Sequence, residues 1–256
     1  MIGKAVFILF SSATLICADP VTDKLTSAGI AEFTSAYQKW DAARFEKSAD
    51  WFRQAADRDP SSATNHYWRG AALFHRMLQL RNPPNGTPDN KAADAAMDAA
   101  VASLETAIKL DSTDAESHAL LGTLYGMKIN GSMIRAIRFG PGVQDHQKEA
   151  LKHGAANPRV RYLLGTGQFH TAENNDSRRE ALNTLLAAEK LFASEARKPA
   201  KPFEPRWGYS SCLTFIARSC ESLGMKPEAI RYFKKALAEH PADHVAKEGI
   251  KRLTGS

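Results

Sequence analysis

Gly224-Met225-Lys226-Pro227-Glu228-Ala229-Ile230-Arg231-Tyr232-Phe233-Lys234-Lys235-Ala236, closed a little later by Pro241, is the stretch that decides the fold. Ala229, Phe233 and Ala236 fall on one face of a helix, because four- and three-residue steps return to the same side. Gly224 suits the end of a preceding helix, where the left-handed conformation is needed. Pro227 suits the first turn of the next, where its missing N–H costs nothing. The same offsets recur near the other end of the chain as Ser48, Phe52, Ala55 and Pro60. A small–large–small–proline pattern repeated at fixed spacing indicates an array of helical hairpins.

Working outward, Leu121-Gly122 with Tyr125, Gly70-Ala71 with Phe74, and Leu164-Gly165 with Gln168 mark first helices. Ser35-Ala36 with Lys39 is the weakest copy. Second helices are marked by Ala100, Leu104 and Ala107 and by Ala181, Leu185 and Ala188. In the third unit His146, Ala150 and His153 hold the offsets with larger residues. These motifs resemble the tetratricopeptide repeat, W-x₂-L-G-x₂-Y, then A-x₃-F, then P. The resemblance covers residues 29–243 in five units. It implies an all-α, right-handed α-solenoid of stacked helix-turn-helix repeats, capped by a polar helix at 242–253. Small residues let neighbouring helices approach, and stacking buries the stripe that one hairpin cannot bury alone.

The units are longer than the plain repeat of about 34 residues. The extra chain falls at 82–90, 130–143 and 170–176, read as enlarged turns within units, and at 193–206, which joins units four and five. Turns within successive units emerge on one edge, so this edge is one candidate binding face; drift of tolerant loops is the plain alternative.

The chain has 256 residues, 43% of them apolar, which is enough for one large core. Its formal charge of +6 is dispersed among acidic residues, so a solvated surface is expected and a nucleic-acid partner is not. Residues 1–18 read as a secretory signal: Lys4, an apolar run from Ala5 to Ile16, and Ile16-Cys17-Ala18 as the cleavage site before Asp19. Residues 19–256 then form one exported domain, with the bacterial periplasm the favoured compartment. Lipidation at Cys17 is disfavoured because Ile16 precedes it. Cys212 and Cys220 lie about 12 Å apart along one helix, too far to pair.

The segment 131–142 is too apolar for an ordinary loop. Met133, Ile134, Ile137 and Phe139, with Arg135 and Arg138, form either a partner-docking or membrane-touching element or a short helix folded back to hide its apolar face. The folded-back form is the favoured reading. Membrane contact is expected to be peripheral at most. In the resembling family the first helix of each unit lines a concave groove. That places Trp68, His75 and Arg76, then Arg159, Tyr162, Phe169 and His170, then Arg218 along it. Aromatic and Arg side chains are the usual anchors for a protein or peptide partner, including one with carboxylates. Packing between units is the competing role for Trp68 and Tyr162. The Lys/Asn carboxylate clamp of the family is absent, with Trp68, Ala72, Ala119 and Thr123 at such places. Trp207, between the proline-rich joint and the last unit, is either a docking knob or, preferably, packing over the joint.

His240 and His244, and His146 and His153, lack metal-site companions, so no metal or other cofactor is expected. No G-x-S-x-G, phosphate loop, H-E-x-x-H or C-x-x-C occurs, and no catalytic residue is assigned. The expected function is an extracytoplasmic protein- or peptide-binding scaffold. A transporter-associated component with a ligand pore lined by Trp68, Tyr162 and Phe169 is the rival. An enzyme of unrecognised type ranks below both.

Overall fold

The computed structural model describes residues 19–255, and every described element is a helix. The leader pattern and Cys17 lie outside the described residues. The helices are α1 (Pro20–Lys39), α2 (Ala42–Arg58), α3 (Ala63–Arg81), α4 (Asn90–Leu110), α5 (Ala115–Ile129), α6 (Met133–Gly154), α7 (Pro158–Thr171), α8 (Asn175–Glu195), α9 (Tyr209–Ser222), α10 (Lys226–Glu239) and α11 (His244–Thr254). Each odd-numbered helix from α1 to α9 packs on the even-numbered one after it, and α11 closes against α10 and α9. The result is an α-solenoid of five hairpins and a terminal helix.

Local chemistry sets the boundaries. Asp41, Asp89, Asp114, Asn157 and Asp243 each accept from a backbone N–H of the helix that follows, satisfying donors with no intrahelical partner. Gly224 adopts φ +75 after α9, as its sequence position requires. The repeated small and large residues fill the core. Ser48, Phe52 and Ala55, Ala100, Leu104 and Ala107, Ala181, Leu185 and Ala188, and Ala229, Phe233 and Ala236 are all fully buried. Burial of each large apolar side chain among them is worth about 1.5–3 kcal/mol. The helices approach closely where a side chain is missing. A Cβ on Gly70 would stand 2.6 Å from Leu104, and one on Gly165 2.8 Å from Leu185. Cys212 and Cys220 are free and buried.

Two expectations about the enlarged turns change. Of 130–143, only 130–132 form the turn; the rest begins α6, which continues through Pro141. Likewise, only 172–174 separate α7 from α8. The added residues lengthen helices rather than loops, because Ser132 and Asn174 cap the following helix immediately after a short turn. The stretch 82–89 remains a true extended turn, tied by Asp89 N–H to Leu80 O at 3.0 Å.

The folded-back reading of 131–142 is also corrected. Met133, Ile134 and Ile137 are 76%, 80% and 73% exposed. The first turns of α6 pack through Phe139, whose ring lies 5.6 Å from that of Tyr125, and the other apolar side chains point away from that contact.

Candidate functional site

The side of the first helices expected to line a groove is covered by the chain itself. Residues 197–208, between α8 and α9, form a strap across it. Trp68 Nε1 donates to Phe203 O (2.9 Å), and Trp207 Nε1 donates to Tyr67 Oη (2.9 Å). The Trp207 ring stands edge-on to His75 with centres 4.8 Å apart. Arg206 holds the strap's shape by donating to Glu195 O (2.7 Å), Pro199 O (3.3 Å) and Glu204 Oε2 (2.7 Å). Phe203 sits at φ 59, a left-handed conformation that bulky residues rarely adopt. At the strap's end Gly208 takes φ +101 and fits against Phe192, Tyr162 and Arg159, where a Cβ would crowd Phe192 at 3.2 Å.

Beneath the strap a buried polar network joins three repeats. Tyr67 Oη donates to Glu116, which also accepts from Asn157 Nδ2 and Arg159 Nε, both at 2.7 Å. Arg159 makes a second, two-pronged pair with Glu195 at 3.0 and 2.6 Å. Burial opposes the charge of Arg159, but Glu116 and Glu195 hold its pKa above the ordinary arginine value. Burial, with Glu116 adding to it, pushes Tyr67 well above the phenolic value. Burial takes His75 down to about 4, and its Nδ1 lies 2.8 Å from Ala71 O.

Several expected groove residues are therefore packed inside the protein instead of facing a partner. Trp68 and Arg159 are each 2% exposed, and His75, Tyr162 and Trp207 are buried as well. The physical reason is the strap, which covers their side of the groove. Packing between units is the role Trp68 and Tyr162 take here. Arg76 pairs with Glu46 at 3.0 Å. Of the three residues expected along a ligand pore, Trp68 and Tyr162 are buried, and Trp68 borders an open cleft whose walls include neither Tyr162 nor Phe169.

Three expected residues do come together in reach of solvent. Arg218 lies 4.9 Å from the ring centre of Phe169 and 5.0 Å from that of Phe215. His170 abuts both rings at 5.3 and 5.7 Å. Burial draws the Arg218 pKa down, although the charge of Glu221 raises it. Glu221 is itself bonded to Arg252 at 2.7 and 2.8 Å. No carboxylate among the described residues lies in ion-pair distance of Arg218. Burial also lowers His170, followed by the charge of Arg218, which favours its neutral form.

An open cleft of about 430 Å³ lies between α1 and the strap, with Tyr37, Trp68, Lys201, Phe203, Tyr209 and Glu239 among its walls. Beside it the two ends of the array meet. Tyr37 Oη and Ser211 Oγ are 2.6 Å apart, and His240 Nε2 lies 2.8 Å from Gln38 O. Ser211, Phe215 and Arg218 then follow at helical steps on one face of α9, leading from the cleft to the Arg218 cluster. Tyr37, Phe203, Phe215, Glu116 and Glu195 escaped the sequence reading. The aromatic pair Phe203 and Trp207, spaced by four among three prolines, was the available signal for the strap.

Among the described residues no group of three or more His, Cys, Asp or Glu is placed to hold a metal, and no helix is long and apolar enough to cross a membrane. The family model described as Regulator of microtubule dynamics protein 1-3 matches residues 33–254. The chain belongs to this family. The match runs from within α1 to the end of α11, so the family unit includes both the strap and the helices it ties together. A search of the curated proteins finds no match. Among solved structures, TTC0263, a thermophilic TPR protein of Thermus thermophilus, is similar at TM-score 0.63 and 14% identity, over 92% of this chain and 100% of that one. It shares the fold. Two structures of MamA match at TM-scores 0.39 and 0.43 with 18% and 17% identity, over 84% and 94% of this chain and 91% and 100% of theirs. The chain is a tetratricopeptide-like protein.

Proposed function

We propose that this scaffold is exported and grips an acidic peptide at the Phe169–His170–Phe215–Arg218 cluster, with the peptide's continuation reaching the cleft beside Tyr37. The observation that carries the reading is Arg218: a guanidinium stacked over two rings, half-withdrawn from water, with no carboxylate bonded to it. A guanidinium so placed recognises a carboxylate strongly, and the rings add contact area without much loss of freedom. Arg159 is satisfied by two carboxylates of its own and has no such capacity. Export rests on the leader pattern in residues 1–18.

A second reading follows from family membership. The family's name connects it with microtubule dynamics, and a cytoskeletal role for this chain requires that residues 1–18 stay attached inside the cell. One experiment addresses both. The protein is purified from its native host, its N-terminus is read by mass spectrometry, and acidic aromatic peptides are titrated by fluorescence anisotropy. The proposal expects a chain beginning at Asp19 and at least tenfold weaker peptide binding by Phe169→Ala/Arg218→Glu, with unchanged circular dichroism. Equal binding by that variant removes the peptide site, and an intact Met1 removes export.

A further inference from the structure

The start of α6 carries three large apolar side chains that nothing among the described residues covers. Met133, Ile134 and Ile137 are about three-quarters exposed, and together they form the outer side of the tip of the α5–α6 hairpin. The inner side of the same helix is anchored. Phe139 packs on Tyr125, and Gly142 lets α6 press against that ring, where a Cβ would stand 2.9 Å away. Tyr125 is itself held by its Oη–H to Glu105 at 2.9 Å. The tip is therefore a fixed wedge rather than a loose loop.

Its charges have one sign. Arg135 and Arg138 are exposed on the flank of the apolar face, and among the described residues neither has a carboxylate within ion-pair distance. Arg138 rests over Phe139 at 5.2 Å, and Lys128 lies over the same ring at 5.8 Å. Asp98, which could neutralise this end, is taken by Lys128 at 2.5 Å. The next exposed acid on α6, Asp145, lies two turns further from the tip.

We infer that the tip of the α5–α6 hairpin docks on an anionic phospholipid surface, with Met133, Ile134 and Ile137 entering the interface and Arg135 and Arg138 meeting the headgroups. The size of the patch favours a bilayer over a second copy of the chain. Three side chains expose a few hundred Å², whereas a stable protein interface takes about 800 Å² per partner. A bilayer needs no matching shape, and it rewards apolar wedges and basic collars together. This surface is separate from the Arg218 cluster, and the inference stands without the peptide reading.

The test is co-sedimentation of the full chain with vesicles of phosphatidylcholine alone or with added phosphatidylserine. Because residues 1–18 are themselves apolar, variants rather than bare binding decide. Ile134→Glu/Ile137→Glu should bind phosphatidylserine vesicles at least tenfold more weakly. Arg135→Glu/Arg138→Glu should lose roughly tenfold on anionic vesicles and little on neutral ones. Ile134→Trp should gain fluorescence that brominated lipid quenches, a readout tied to the tip itself. Wild-type-like binding by both Glu variants, an unquenched signal from the Ile134→Trp variant, or no vesicle binding by the wild type overturns the inference. So does a dimer in sedimentation velocity that Ile134→Glu/Ile137→Glu abolishes, which assigns the wedge to a second copy.

Discussion

Replacing Arg159 with Met tests how the buried network contributes to the array. Met keeps most of the volume and removes three bonds: one to Glu116 at 2.7 Å and two to Glu195 at 3.0 and 2.6 Å. Removing one member of a buried ion pair costs about 3–5 kcal/mol, because the other charge is left in a poor solvent. Two features place this case at the low end. Glu116 retains the Tyr67 and Asn157 donors, and the Glu195 side chain keeps 16% of its exposure. The expected loss is therefore about 3 kcal/mol, a large share of the roughly 5–15 kcal/mol that holds a domain folded. Urea unfolding followed by far-UV circular dichroism at pH 7 measures it. Adding Glu116→Gln removes one orphaned charge, so the double variant should be more stable than the sum of the two single losses by about 2 kcal/mol. A loss below about 1 kcal/mol for Arg159→Met, or additive single variants, would show that water reaches these carboxylates and that the network is not a buried one.

Trp207→Ala should cost about 3–5 kcal/mol, since it deletes a core ring along with the Nε1 bond to Tyr67; hydrogen exchange should quicken around Tyr37 and Ser211 while the middle hairpins stay protected. Slow exchange at both ends would mean that the strap does not tie them together. The pH dependence follows from His75, whose folded value of about 4 lies below the ordinary 6.5. The unfolded chain takes up the proton first, so stability is complete above pH 6.5 and declines toward pH 4, by up to about 3 kcal/mol. Melting temperatures across that window should fall with pH, and His75→Asn should flatten the slope; an unchanged slope would show that His75 is not the group responsible.

The hairpins are legible because their information is local. Ala229, Phe233 and Ala236 declare a packed face through spacing alone, and the burial of Ser48, Phe52 and Ala55 repeats it. Trp68, Arg159 and Tyr162 belong to the concave side, yet what covers that side comes from residues far along the chain. Trp68 meets Phe203 across 135 positions, in a stretch with no period to read. Arg159 reads in sequence as a ligand-seeking cation because nothing near it announces Glu116 or Glu195. Met133, Ile134 and Ile137 mislead in the opposite sense. Apolar character usually reports burial, and here the helix carries those side chains beyond its neighbours. Phe169, His170 and Arg218, which the family resemblance places on successive first helices, lie together, although Phe215, which joins them, gives no signal of its own.

Most repeat arrays can gain or lose a unit by duplication, since each unit touches only its neighbours. The strap removes that freedom. Its reach is set by the stretch between Glu195 and Tyr209, and its anchorage lies in α3, well before it in the chain. An additional hairpin placed between them would carry Tyr67 out of range of Trp207 and part Tyr37 from Ser211. The five hairpins among the described residues thus form a closed set, and its lineage is expected to change by trimming or extending helices, as at α6, while the count of those hairpins stays fixed.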